Sequence, residues 1–307
     1  MAKQGENLRD LPQLLSTDFA LKIENYLLTS EGGLRMRKGY TESLSESGVN
    51  GMKVLGEWTS NLVVVGWGQK VGIGNLVDGT TTEVKTDFVI SGIFSGARYG
   101  DYFFVASPGD KIGRISFTLD YDNQTTNFSV GELITGGTSG AKAIILQNSD
   151  AGATGTLTLG TIEGTFEDNE ALTTPGGGDG NVDGTLGFTY TEISNAPKAT
   201  IIKAIGPRLF AVTADDETII RYSNVDAGTN PPFSAWSDSV SATDGGQIYF
   251  RNPGKINDIV AFSKIVCVFA DRGVWAFHIE VIDVGGTLEK IEQTDMYRVE
   301  TGGGKKA

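Results

Sequence analysis

Side chains able to do acid–base or nucleophilic chemistry are few in this chain, and their neighbours decide what they mean. There is one histidine, His278, and one cysteine, Cys267. A single cysteine excludes a disulfide framework, a CxxC zinc site and a Cys-ligated cluster. His278 stands in the run WAFHIE, where strand alternation puts Trp275, Phe277 and Ile279 on one face and Ala276, His278 and Glu280 on the other. No GxSxG elbow accompanies it, so it reads as a surface or interface histidine rather than a triad base. Cys267 lies inside IVCVFA, where the expectation is a small buried hydrophobe and not a reactive thiol.

Three motif fragments fall short of their chemistry. Gly66-Trp67-Gly68 follows a strand but lacks the third glycine of a dinucleotide fingerprint, since Val71 stands there and a turn follows instead of a helix. The run DGNVDG carries Asp179, Asn181 and Asp183 at the alternate spacing of a calcium loop, but Tyr190 occupies the place of the bidentate Glu. A plain solvated Asx-Gly turn is the simpler reading there, and likewise at Asp120 and Asp122. Carboxylates are abundant, yet none is marked as a glycosidase pair. Arg35, Arg37 and Lys38 form the one concentrated positive patch ahead of the C-terminal lysines and read as a possible interface. No catalytic, cofactor-binding or firmly metal-binding residue emerges.

The elements that must position these groups are strands. Apolar bursts at 62–65, 102–105, 115–119, 143–146, 200–205, 209–212 and 265–269 sit between Gly, Asn, Asp and Pro. Helical periodicity is nearly absent; residues 11–28 read as a short helical turn followed by extended chain. The fold class is all-β. Four segments look like copies of one hairpin: LVVVGWGQKVGIG from Leu62, YFFVASPGDKIGRI from Tyr102, LFAVTADDETIIRYS from Leu209 and IVCVFADRGVWAFHI from Ile265. Their starts are 40, 107 and 56 residues apart, and setting aside residues 125–190 reduces the middle gap to 41. Such spacing approaches the roughly 40–50-residue blade period of a β-propeller.

The segment 125–190 has a repeat of its own. Phe128, Glu132 and Thr135 recur as Phe166, Glu170 and Thr173, offset by 38 residues. It holds 14 of the 42 glycines and −7 of the net charge of −13. Many tight turns between short strands suit a small β-sandwich-like module. The expected organisation is an N-terminal arm with first strands over 1–50, a propeller-like body over 51–124 and 191–300, the inserted module over 125–190, and a flexible tail over 301–307.

The net charge of −13 argues against a general nucleic-acid-binding surface, which needs clustered Lys and Arg. No apolar run reaches the roughly 18 residues of a membrane span, and the opening MAKQGENLRDLPQ has no signal-peptide core. The expectation is a soluble acidic protein made in the cytoplasm of its cell.

The run DFALKIENYLLTSEGGLRMRKGY over 18–40 resembles a pattern near the start of phage tail proteins, an Asn in extended chain (Asn25) followed by Gly-Leu, a basic residue and Gly. Those are the β-propeller tail-tube, nozzle and DNA-stabilising proteins of short-tailed phages. RLFAVTADDETIIRYSNVD over 208–226, SATDGGQIYF over 241–250 and NDIVAFSKIVCVFADRGVWAF over 257–277 are similar to their later blades. VGELITGGTSGAKAIIL over 130–146 looks like a small β module recurring in phage virion proteins. The resemblance implies a structural virion component in a phage tail, a head-to-tail connector or nozzle. It would be a homo-oligomeric ring of six copies, docked on portal or adaptor and other tail proteins, through which double-stranded DNA passes without sequence-specific contact. It implies no cofactor and no catalysis. Two alternatives belong to other classes: a tail-associated adhesin binding a host surface glycan, and a propeller glycan hydrolase with paired carboxylates. A glycan site would place exposed Trp or Tyr around a pocket, whereas Trp67, Trp236 and Trp275 lie in or beside expected strands.

Overall fold

The computed structural model describes residues 26–28, 34–36, 52–225, 232–234, 236, 245–250, 252–262, 265–278, 280–282, 288–290 and 297–299. The chain falls into two compact units, Met1–Ser43 and Leu44–Ala307. In the first, strands β1 (Tyr26–Leu28) and β2 (Leu34–Met36) pair antiparallel. The rest of the expected helical turn and arm lies outside the described residues. Everything below concerns the second unit, where the described residues contain strands and turns and no helix.

Its elements begin with β3 (Lys53–Glu57), β4 (Leu62–Trp67), β5 (Lys70–Asn75) and β6 (Thr81–Lys85), an antiparallel sheet in that order. The turn between β4 and β5 is two residues long, and Gly68 takes it at φ +50°, a left-handed conformation that the absence of a Cβ makes cheap. A second sheet comprises β7 (Ser95–Tyr99), β8 (Tyr102–Ser107) and the long β9 (Asp110–Asp122). Five strands then intervene: β10 (Leu133–Gly136), β11 (Lys142–Asp150), β12 (Gly155–Glu163), β13 (Ala171–Thr173) and β14 (Asp179–Val182). The chain returns as β15 (Gly187–Glu192) to pair with β9, so that β7, β8, β9 and β15 form a four-stranded part of one nine-stranded sheet that also holds β10–β14. A third sheet is β16 (Ala199–Ile205), β17 (Arg208–Thr213), β18 (Ile219–Tyr222) and β19 (Gly246–Tyr249). The fourth is β20 (Ile256–Phe262), β21 (Ile265–Ala270) and β22 (Gly273–His278). After a side hairpin of β23 (Glu280–Ile282) and β24 (Leu288–Lys290), β25 (Tyr297–Val299) pairs with β22. The four hairpin copies of the sequence are thus the second and third strands of four successive four-stranded units, the second of them part of the nine-stranded sheet.

The sheets stack, and stacking explains the unbroken apolar runs. Phe103 and Val105 of β8 pack on Val64, Val71 and Ile73 of the first sheet. Their neighbours Tyr102, Phe104 and Ala106 point the other way, onto Ile202, Leu209 and Ala211 of the third. Phe210 and Val212 of β17 then meet Ile256, Ile259, Val266 and Val268 of the fourth. A strand buried on both faces has no solvent side, so its sequence does not alternate. Each such large side chain contributes roughly 1.5–3 kcal/mol on leaving water. Close approach is managed by glycine: a Cβ at Gly96 would lie 2.6 Å from the Phe103 ring.

The two faces of the fourth sheet are covered unequally. Val266 and Val268 face inward with no exposure, but Ile265 and Phe269 on the outer face are 38% and 39% exposed. Cys267 lies between them, half-buried. The expectation of a core cysteine is therefore corrected: the run IVCVFA is apolar throughout, but its outer face is only partly covered.

The inserted strands form a ring, not the two facing layers of a sandwich. Pairing runs β12–β11–β10–β13–β14–β9, and β12 also pairs with β9, which closes the circuit. Inside are Leu119, Tyr121, Ile134, Ile145, Leu157, Leu159, Leu172 and Val182. The sequence repeat becomes two hairpins, β10–β11 and β13–β14, that pair with each other through Thr135↔Thr173. Their backbones match bond for bond: Glu132 N–H donates to the Ser129 carbonyl and Glu170 N–H to that of Glu167, both at 3.3 Å. Phe128 and Phe166 are both buried.

Candidate functional site

The repeat's two glutamates have diverged. Glu170 is 3% exposed and caps the loop of the other hairpin. Thr138 and Ser139 N–H donate to its Oε2 at 3.0 and 2.9 Å, the Ser139 hydroxyl to its Oε1 at 2.8 Å, and Glu167 N–H to Oε1 at 2.7 Å. Burial pushes the Glu170 pKa up, but the bonds from Ser139, Glu167 and Thr138 outweigh it and hold the carboxyl below the ordinary 4.5. Glu132, its counterpart, lies against Gly176 of the opposite loop, and its Oε2 is buried without a hydrogen bond.

The remaining candidates do not assemble. Asp179 receives Thr125 N–H at 3.0 Å and Thr126 N–H at 2.7 Å on Oδ1, and the Thr125 hydroxyl at 2.7 Å on Oδ2. The Thr125 side chain first, then the two amides, lower its pKa. Both its oxygens are thus engaged as a cap for the segment after β9. Asn181 pairs with Asp122 and Ala171 on β14, while Asp183 N–H donates to the Asp120 carbonyl at 2.9 Å. Among the described residues, no three His, Cys, Asp or Glu side chains are grouped to hold a metal. Arg35 pairs with Leu27 across β1 and β2; Arg37 and Lys38 lie outside the described residues. His278 ends β22 opposite Ile265. Gly66–Gly68 leads into the β4–β5 turn. The four tryptophans are buried, Trp58 stacked on Phe117 at 4.2 Å.

A concavity lies where the second sheet meets the ring. It has a volume of about 860 Å³. Its floor is the polar face of β9, carrying Arg114, Ser116 and Thr118, extended by Thr189 and Thr191 of β15 and by Thr156 and Thr158 of β12. Register places them side by side: Ser116↔Thr189, Arg114↔Thr191 and Thr118↔Thr158. Val130 and Leu146 to Ser149 wall it. Some of these groups are already engaged. Thr118 and Thr189 hydroxyls lie 3.2 Å apart, Thr156 donates to Asp120 at 2.5 Å, and Asn148 donates to the Phe128 carbonyl while accepting from Tyr121. Others are not: Ser116, Gln147, Ser149, Thr158 and Thr191 side chains have no hydrogen-bond partner among the described residues. Arg114 is half-buried, its guanidinium 5.9 Å from the Tyr102 ring centroid, and burial lowers its pKa against the pull of Tyr102.

No family model and no curated protein matches the chain. A smaller cavity of about 370 Å³ lies at the turn ends of the second to fourth sheets, where Lys255 pairs with Glu217 at 2.8 Å. The larger groove has no carboxylate in its lining and the smaller only Glu217, so neither presents the acid pair of a glycosidase. Among the described residues no helix is long and apolar enough to cross a membrane.

Arg114 and its hydroxyl neighbours were missed in the sequence. The usable signal was the alternation RISFTLD, with Arg114, Ser116, Thr118 and Asp120 all on one parity, beside Thr189 and Thr191 in TYTE.

Proposed function

We propose that this chain is a structural component of a phage virion, a head-to-tail connector or nozzle in the tail. Its four-stranded sheets are read as successive blades of a propeller-like body, and several copies as a ring around a DNA conduit that retains and then releases the genome. The work is mechanical and involves no catalysis. The observation that carries this reading is the part-exposed outer face of the fourth sheet. In β8 and β17 both faces are sheathed by neighbouring sheets, whereas Ile265 and Phe269 of β21 stand part-exposed. A part-exposed apolar sheet face suits burial against a neighbouring subunit in a closed assembly. The resemblance of 18–40, 208–226 and 257–277 to tail proteins points the same way, and an acidic balance of −13 suits a wall that lets DNA slide. Light scattering and electron microscopy of the purified protein test it. Rings, six-fold by the family resemblance, are expected, and Phe269→Ser should dissociate them. A monomer at high micromolar concentration, with no position on the tail axis of a virion, overturns it.

A further inference from the structure

The groove on the second sheet has a binding chemistry of its own, independent of ring formation. Arg114 sits in a half-enclosed, polar concavity with no salt bridge and no hydrogen-bond acceptor among the described residues. That is unusual company for a guanidinium in a chain with 38 acidic residues. A half-buried guanidinium, with five N–H donors in a planar fork, matches a carboxylate or a sulfate ester. Around it, Ser116, Thr158 and Thr191 offer hydroxyls that both donate and accept, and Gln147 adds an amide. No Trp or Tyr lines the groove, and the apolar contact that an exposed aromatic would give a sugar falls instead to Val130, 57% exposed, and Leu146. One charged fork, a field of unengaged hydroxyls and a small apolar wall complement a sugar: an oxyanion, ring hydroxyls and an aliphatic C–H face. The volume of about 860 Å³ lies inside the range of roughly 300–1,000 Å³ typical of small-molecule sites.

We propose that this groove binds a glycan unit bearing a single oxyanion, with Arg114 on the charged group and the threonine and serine hydroxyls on the sugar ring. A sparsely charged glycan fits better than a polyanion, because the net charge of −13 repels a densely charged chain before it reaches the groove.

Calorimetric titration of the full chain with 3′-sialyllactose, 3′-sulfolactose and lactose tests this and separates carboxylate from sulfate as the source of the charge. At least one anionic sugar should bind at least tenfold more tightly than lactose. Arg114→Gln should weaken that binding by tenfold or more, while Arg98→Gln, at an exposed position on β7, should leave it unchanged. Ser149→Trp, at an exposed wall position, should block the groove without touching Arg114, which keeps the test valid if Arg114→Gln fails to fold. Overturning results are absence of binding by both anionic sugars at millimolar concentration, equal binding of lactose, or full binding by the Ser149→Trp protein.

Discussion

A central strand of the stack and a strand of the ring reach a buried core by opposite means. All six residues of β8, YFFVAS, are buried because one sheet lies on each face. In β12, GTLTLGTIE, burial falls on Leu157, Leu159 and Gly160, and Thr156 and Thr158 look outward. A stack consumes apolar sequence at every position, and its weak point is its last face. A ring needs only alternate positions, so it can be rich in Gly and Thr, and its weak points are the loops that close it. Glu170 supplies at one such loop what hydrophobic mass supplies in the body.

That contrast can be broken at several points. The largest effect is expected in the stack: Phe104→Ala, between the second and third sheets, should cost about 3–5 kcal/mol in urea unfolding. Next is the ring latch. Glu170→Ala leaves the Thr138, Ser139 and Glu167 amides without their acceptor and should cost about 2–3 kcal/mol, whereas Glu132→Gln should change stability by less than about 0.5 kcal/mol. A pH series sharpens the same point. Because the folded pKa of Glu170 is depressed, its contribution is full above 4.5 and is lost as pH falls through the folded value, so wild type should lose acid stability that Glu170→Gln lacks to begin with. Asp179→Asn should act more locally, speeding hydrogen exchange at the Thr125 and Thr126 amides, and added Ca²⁺ should leave the wild-type melting temperature unchanged. The smallest effect on the isolated subunit is expected from Phe269→Ser, within about 0.5 kcal/mol, since its side chain is 39% exposed.

The stack was legible because turn residues punctuate it and its central strands are apolar throughout, so β4–β5, β8–β9, β17–β18 and β21–β22 stood out. Of their outer partners β16 stands out too, but TTEVK of β6 and SGARY of β7 are short and mixed, as suits strands at a sheet margin. The Phe-Glu-Thr repeat of the module was visible as spacing, but its meaning lay in a contact between hairpins. No local pattern tells that Glu170 reaches Thr138 and Ser139 and that Glu132 makes no such bonds. The composition shift ends the insert at residue 190, whereas β15 pairs with β9 from Gly187 onward. Cys267 is half-buried although its run is apolar throughout, because an apolar run announces burial on two faces even where one of them is only partly covered. The groove escaped notice for the reverse reason, since the polar parity of β9 is masked by Ile115, Phe117 and Leu119 on the other.

β9 itself is 13 residues, roughly 40 Å of continuous strand, with β8 and β15 gripping one end and β12 and β14 the other. The module is therefore cantilevered from the body on a shared beam instead of hanging from a linker. A load on the ring reaches the body as shear along a hydrogen-bonded ladder, and the decoration moves only as far as the sheet beneath it bends.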